Sequence, residues 1–271
     1  RGRARHGAVN LYESTAEAYR MYEGDQWHGL EAGQERLPVF NIIAPTVEYK
    51  TATVAMQNMQ IYYSPQDLTR PEGAALCEAL NRYAARCWEK QKLDAKLWKV
   101  VQSACVAGDS YLYFYSKNLD CQIIDNTSIY FSDEQQPDIQ RQEYILISER
   151  RPVGEVRREA KKNGVRAEEI ERILPDADTL SEVGDTAEVG GDGKCLSLLC
   201  LSRGEDGFVR VCRATRNVVY VPESAIPGLR LYPIASYVWT PSKNSARGVG
   251  EVRPIVPNQI EINRLLARRL I

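Results

Sequence analysis

Apolar residues recur at helical spacing over roughly the first hundred positions and at strand spacing after them. Leu11 to Met21 reads as a short helix, broken by the turn Glu23-Gly24-Asp25-Gln26-Trp27. A second helix is predicted from about Ala44 to Ile61, with Pro45 in its first turn, where a missing N–H costs nothing. Its β-branched residues Thr46, Val47, Thr51, Thr53 and Val54 lower its propensity, so packing must hold it. Thr69-Arg70-Pro71-Glu72 fits a capping box ahead of the next helix. Leu76, Leu80, Tyr83 and Cys87 give that helix an apolar face, and Leu97, Val101 and Cys105 carry the stripe on to Gly108. The pattern fits one long helix or two broken ones. On a continuous helix Cys87 and Cys105 share a face.

Strands follow. Tyr111–Tyr115 and Cys121–Ile124, joined through Lys117-Asn118, predict a hairpin. Ile129–Phe131 and Tyr144–Ser148 are further strands. Pro152–Lys162 is a basic helix ended by Asn163-Gly164, and Ala167–Leu174 is a second short helix. Residues 175–194 are acidic and glycine-rich without periodicity, which predicts an exposed flexible loop. Strands resume at Cys195–Ser202, Phe208–Arg213, Val218–Val221 and Tyr232–Trp239. A Pro/Ser/Gly-rich stretch, Pro241–Gly250, then precedes a last helix from Asn258. That helix places Ile262, Leu266 and Leu270 on one side and Glu261, Arg264 and Arg268 on the other. It runs to the final residue without a stop signal, the pattern of a helix cut short. Helices and strands without regular βαβ alternation predict an α+β fold: a long helix with a mixed, mostly antiparallel sheet and a protruding C-terminal helix.

Composition narrows the chemistry. The 271 residues carry 35 Lys+Arg and 36 Asp+Glu, a net charge of −1, unlike a protein that coats nucleic acid. No apolar run is long enough to span a membrane. The seven cysteines form no CxxC pair and read as small buried hydrophobes. Two histidines, His6 and His28, leave little for a His-based nucleophile pair or metal site. Gly248-Val249-Gly250 lacks the third glycine of a dinucleotide loop and reads as a flexible joint. Glu168-Glu169 point apart on a helix, a poor acid/base pair. Arg253, Arg264, Arg268 and Arg269 gather around the last helix as a solvated face, a subunit contact or a DNA-phosphate contact. Trp27 reads as a packing anchor. The basic arm 1–7 reads as a frayed terminus. No catalytic residue, metal site or cofactor is expected.

The residues also resemble a known family. Tyr22-Glu23-Gly24-Asp25-Gln26-Trp27, followed by Asn41-Ile42-Ile43-Ala44-Pro45, is similar to the opening of tailed-bacteriophage portal proteins. Ala107-Gly108-Asp109-Ser110-Tyr111-Leu112 and Asp125-Asn126-Thr127-Ser128-Ile129-Tyr130-Phe131 resemble the next two landmarks. Arg247-Gly248-Val249-Gly250-Glu251-Val252, with Pro257-Asn258-Gln259-Ile260-Glu261-Ile262-Asn263-Arg264, looks like the entry to the first stem helix. These landmarks come in family order and cover nearly the whole chain.

The resemblance implies a ring, typically of twelve subunits, that conducts double-stranded DNA at one capsid vertex during packaging and ejection. Such a ring partners the terminase motor, the head-tail connector and the capsid proteins. It would be made in the bacterial host cytoplasm, located in the virion, not membrane-bound, and not an enzyme. Residues 1–255 would be the wing and 256–271 the start of the stem helix. The clip, second stem helix and crown would be absent from this chain. Gly24, Gln26, Trp27, Asn41, Pro45, Gly248, Gly250 and Asn258 are the motif positions. The alternatives are another phage structural or adaptor protein, or a carboxylate-based hydrolase or nuclease.

Overall fold

The computed structural model describes residues 10–28, 37–57, 62–66, 71–116, 119–176 and 193–270. The arm 1–7, Ile61, Thr69, Lys117-Asn118 and positions 177–192 of the acidic stretch lie outside the described residues. In chain order the elements begin with α1 (Leu11–Glu23), α2 (Ile43–Ala55), α3 (Pro71–Lys90) and α4 (Leu93–Ala107). Next come β1 (Asp109–Phe114), β2 (Cys121–Asp125), β3 (Ile129–Phe131), β4 (Tyr144–Pro152), α5 (Val153–Lys162) and α6 (Ala167–Glu171). The remainder are β5 (Lys194–Arg203), β6 (Val209–Ala214), β7 (Val219–Ala225), β8 (Ile234–Val238), β9 (Thr240–Pro241), β10 (Gly248–Val249) and α7 (Val252–Leu270). Among the described residues every strand pairing is antiparallel, and the chain is α+β, as its pattern predicts. Among the described residues no helix is long and apolar enough to cross a membrane.

The chain divides into two compact units. The first takes residues up to Thr127 and resumes at Pro233; the second is Ser128–Tyr232. The first unit is organised on α4, where Val100, Val101, Ala104, Cys105 and Val106 are all buried. One side of α4 packs on α1, α2 and α7, where Ala18, Met21, Ile43, Val47, Cys105, Val106 and Val252 close a core. Another meets the three-stranded sheet β2-β1-β8 through Leu93, Val100, Leu112 and Cys121. The second unit is the five-stranded meander β3-β4-β5-β6-β7. Its core of Val153, Val156, Ala160, Ile173, Cys195, Val218 and Tyr220 seats α5 on one face of the sheet. Arg151 ties that helix down through the Glu159 carboxylate at 2.6 Å and the Tyr220 hydroxyl at 3.2 Å.

Several helix boundaries differ from the sequence pattern, each for a physical reason. The long helix is two helices, because Lys92 turns left-handed (φ 50°) between α3 and α4. Cys87 and Cys105 therefore belong to different helices, though both are buried. The apolar stripe of α3 is not core: Leu76 is 62% exposed and Tyr83 48%, and Leu80 is exposed too. Helix α2 ends at Ala55 rather than Ile61, and α6 at Glu171 rather than Leu174. Helix α7 starts at Val252, six residues before Asn258. Pro254 falls in its first turn, where no N–H is needed, and Pro257 forgoes one intrahelical bond. Burial of Val252 with Ile255 and Val256 against α4 and its neighbours offsets that loss.

Candidate functional site

Several motif residues of the first unit belong to two buried polar clusters, both anchored by the segment from Arg247 onward. The first cluster forms along α7. Gly24 closes α1 in the left-handed conformation (φ 93°), its N–H donating to Arg20 O at 3.0 Å. The chain then turns back so that Gln26 Nε2 donates to Met21 O at 2.9 Å. Trp27 donates its indole N–H to Pro38 O at 3.1 Å. Asn41 bridges two helices: its Nδ2 donates to Tyr22 O at 2.9 Å, and its Oδ1 accepts from Ile43 N and Ala44 N. The side chain of Asn41 thus satisfies two free N–H groups at the start of α2. Pro45 sits in that same first turn, as expected.

Helix α7 completes the cluster from its buried side. Gln259 is fully buried; its Oε1 accepts from Ile42 N at 2.9 Å and its Nε2 donates to Phe40 O at 2.8 Å. Asn263, one turn on, accepts from Phe40 N and from Gln259 Nε2, and donates to Gln26 Oε1 at 2.6 Å. Amide side chains separated by more than 200 residues therefore share one network whose members satisfy one another. Gln259→Leu leaves Ile42 N–H and Phe40 C=O without this partner. It is expected to cost the unit about 2–3 kcal/mol in urea unfolding, against less than ~0.5 kcal/mol for the exposed Asn258→Ala.

The second cluster joins the end of α4 to the start of α7. Asp109 and Arg247 form a buried ion pair, Nη1 to Oδ2 at 3.3 Å, with side chains 1% and 5% exposed. The Tyr111 hydroxyl donates to the same carboxylate at 2.7 Å, and Arg247 also donates to Asn126 O at 2.8 Å. Burial pushes the Asp109 carboxyl above the usual range, while Arg247, Tyr111 and Gly248 N–H pull it back. Beyond Arg247, the chain runs against the last turn of α4. Glu251 N–H donates to Cys105 O at 2.7 Å, capping a carbonyl of that turn, while Trp239 N–H, from just after β8, donates to Gly108 O at 2.9 Å. Gly248 and Gly250 make the approach possible. A Cβ on Gly250 would fall on the Val106 carbonyl, and one on Gly248 would meet Gly108 O and Val238. The pair is a close-packed seam, then, and not a flexible joint. Glu251 finally reaches Lys50 on α2 and the Trp239 indole; the Lys50 ammonium holds its carboxyl below the usual range. Burial and the Glu251 carboxylate push the Cys105 thiol up to about 11, so it is an inert core group.

The remaining predicted positions lie along α7. Arg253, Arg264, Arg268 and Arg269 are all exposed, and Arg264 meets Glu261 only at 4.0 Å. By helical angle, Arg253, Arg264 and Arg268 fall together and Arg269 stands apart. Ile262 and Leu266 are half-buried flanks rather than the centre of the packed face, which is Val252, Gln259 and Asn263. The side chain of Leu270 lies outside the described residues. Asn258 is exposed and joins neither cluster; Gln259 and Asn263 do the work expected of it. Their spacing with Val252 and Val256 (i, i+4, i+7, i+11) was a readable signal, masked because both are polar. Among the described residues, no three His, Cys, Asp or Glu side chains gather as a metal site. His28 is exposed beside Asp25. No family model matches the chain, and no curated protein matches it.

Proposed function

We propose that this chain is the wing and first part of the stem of a tailed-bacteriophage portal subunit, acting in a ring that conducts double-stranded DNA at one capsid vertex. The observation that carries the reading is the convergence of the family-like motifs. Gln26, Ile42, Gln259 and Asn263 share one network, and Gly108-Asp109 meets Arg247-Gly248-Val249-Gly250 in the other. Residues drawn from landmarks far apart in sequence, Gln26 to Asn263, thus meet in two clusters that tie the base of α7 to the rest of the first unit. A stem helix that must hold its angle around a ring needs such a base. The partners of the reading are further copies of the chain, the packaging motor, the head-tail connector, the capsid shell and DNA.

Labelling of particles tests it. Antibody raised against the chain is expected to decorate a single vertex of the virion in electron micrographs. Decoration spread over the shell, or confined to the tail tip, would overturn the proposal. The arginine row provides a second measurement. Arg264→Ala with Arg268→Ala removes two exposed charges and is expected to leave stability within about 0.5 kcal/mol of the parent. Packaged DNA per particle is nevertheless expected to fall, because the row is free to meet a neighbouring subunit or DNA phosphates. Full packaging in the double variant would remove the row from the mechanism. Leu266→Asp is the poorer probe, since Leu266 is half-buried within its own unit and its loss mixes folding with assembly.

A further inference from the structure

The second unit carries a pair of cysteines that no part of the portal reading uses. Cys200 on β5 and Cys212 on β6 are direct cross-strand partners. Directly opposed residues of an antiparallel pair project from the same face. Along β5 the odd positions Cys195, Ser197, Leu199 and Leu201 are buried, whereas Cys200 belongs to the alternate, more accessible set with Leu196, Leu198 and Ser202. Cys200 and Cys212 are both half-buried free thiols. Glu223 of β7 lies on that same face, accepting from Ser202 Oγ at 3.2 Å. We propose that Cys200 and Cys212 form a reversible cross-strand redox site, closed by a low-molecular-weight disulfide such as oxidised glutathione.

The geometry sets the character of the site. Gly204 N–H donates to Phe208 O, and both the N–H and C=O of Val209 are used on the β7 side, by Leu229 O and Ile226 N–H. Counting along the ladder from there makes Cys200 and Cys212 a hydrogen-bonded pair, for which the Cα separation is about 5.5 Å. That lies inside the range a disulfide spans, about 4.4–6.8 Å. The Cβ atoms of such pairs stand near the upper end of about 4.5–5.5 Å, wider than the ~3.8 Å a relaxed bridge prefers. The bridge therefore forms under strain and is readily reduced, which is the property of a switch and not of a permanent staple.

Closure is ordinary thiol–disulfide exchange. One cysteine thiolate attacks a sulfur of the small disulfide, whose S–S bond breaks and releases one thiolate, which takes up a proton. The second cysteine thiolate then attacks the mixed disulfide at the protein sulfur and expels the other half. Two protein thiols and one small disulfide become one protein disulfide and two small thiols, so atoms and electrons balance. Burial, with Glu223 nearby, raises both thiols above their ordinary range, and Cys200 is raised also by Cys212. Thiolate is scarce at pH 7, and closure is expected to run about tenfold faster per pH unit up to the thiol range.

The experiment treats the full chain with oxidised glutathione, blocks free thiols under denaturing conditions, digests with trypsin and reads the peptides by mass. Cleavage after Lys194, Arg203, Arg210 and Arg213 isolates 195–203 from 211–213. The expected product is these two peptides linked, two hydrogens lighter than their sum. It should persist in Cys195→Ser, whose thiol is buried on the other face, and vanish in Cys200→Ser. Cys212 should then hold glutathione instead. Equimolar reduced glutathione should reopen most of the bridge. Glutathione on each cysteine of the parent chain without linkage would overturn the proposal, as would two unmodified thiols. A link that survives excess reduced glutathione would overturn its reversibility.

Discussion

Replacing Arg247 by Met is expected to destabilise the first unit by about 3–5 kcal/mol, most of its effect coming from the charge it leaves behind. The Asp109 carboxylate is 1% exposed, and the guanidinium is its counter-ion. Burial already pushes this carboxyl above its usual range against the pull of Arg247. Without the cation the folded-state pKa climbs further. The folded protein then binds a proton that the unfolded chain, with a value of ~3.9, releases; between the two values stability falls as pH rises. The penalty of Arg247→Met is thus expected to be largest at pH 7 and to shrink at pH 5, where protonation replaces the lost cation. Urea unfolding at both pH values measures it. An equal penalty at each would show that Asp109 is not the group left uncompensated. Adding Asp109→Leu to Arg247→Met should recover only part of the loss at pH 7, because the bonds from Tyr111 to Asp109 and from Arg247 to Asn126 O are gone.

The parts of this fold that could be read from the chain are those where local pattern and tertiary burial agree. The β1–β2 hairpin follows from Tyr111–Tyr115 and Cys121–Ile124, and β5, β6 and β7 from apolar runs between turn residues. Helix α5 ends where Asn163-Gly164 says it should. Where the two disagree, pattern misleads. Leu76, Leu80 and Tyr83 line up as a core stripe, yet stay exposed on α3. The break before α4 rests on Lys92, a residue with no turn preference in the left-handed conformation. The start of α7 hides behind Pro254 and Pro257. Gln259, Asn263 and Arg247 look like surface residues because their partners are backbone groups and a distant carboxylate, which no local window contains. The motif resemblance did mark Gly24, Gln26, Asn41 and Gly250. It could not tell a glycine chosen for freedom from one chosen for closeness.

Gly108 combines both demands, and Gly108→Ala is expected to cost about 4 kcal/mol. Its φ of +114° lies where a side chain is strained, worth about 1–3 kcal/mol alone. Its Cβ would also stand 2.5 Å from Gly248 O and 2.8 Å from Gly248 C. Those are backbone atoms of the seam that caps α4 and positions Arg247, so no side-chain rotation relieves the overlap; forced overpacking of this kind adds about 1–3 kcal/mol. Two comparisons separate the terms. Gly228→Ala has a positive φ (+80°) but open space, and should cost only about 1–2 kcal/mol. Gly250→Ala has the backbone overlap without the positive φ and should fall between the two. A seam that can slide would make Gly108→Ala no worse than Gly228→Ala, and α7 would then lack a rigid base. The expected order, with Gly108 most costly and Gly228 least, makes the meeting of α4, β10 and α7 the least deformable point of the first unit. It is also where a torque on the last helix would be transmitted to the body.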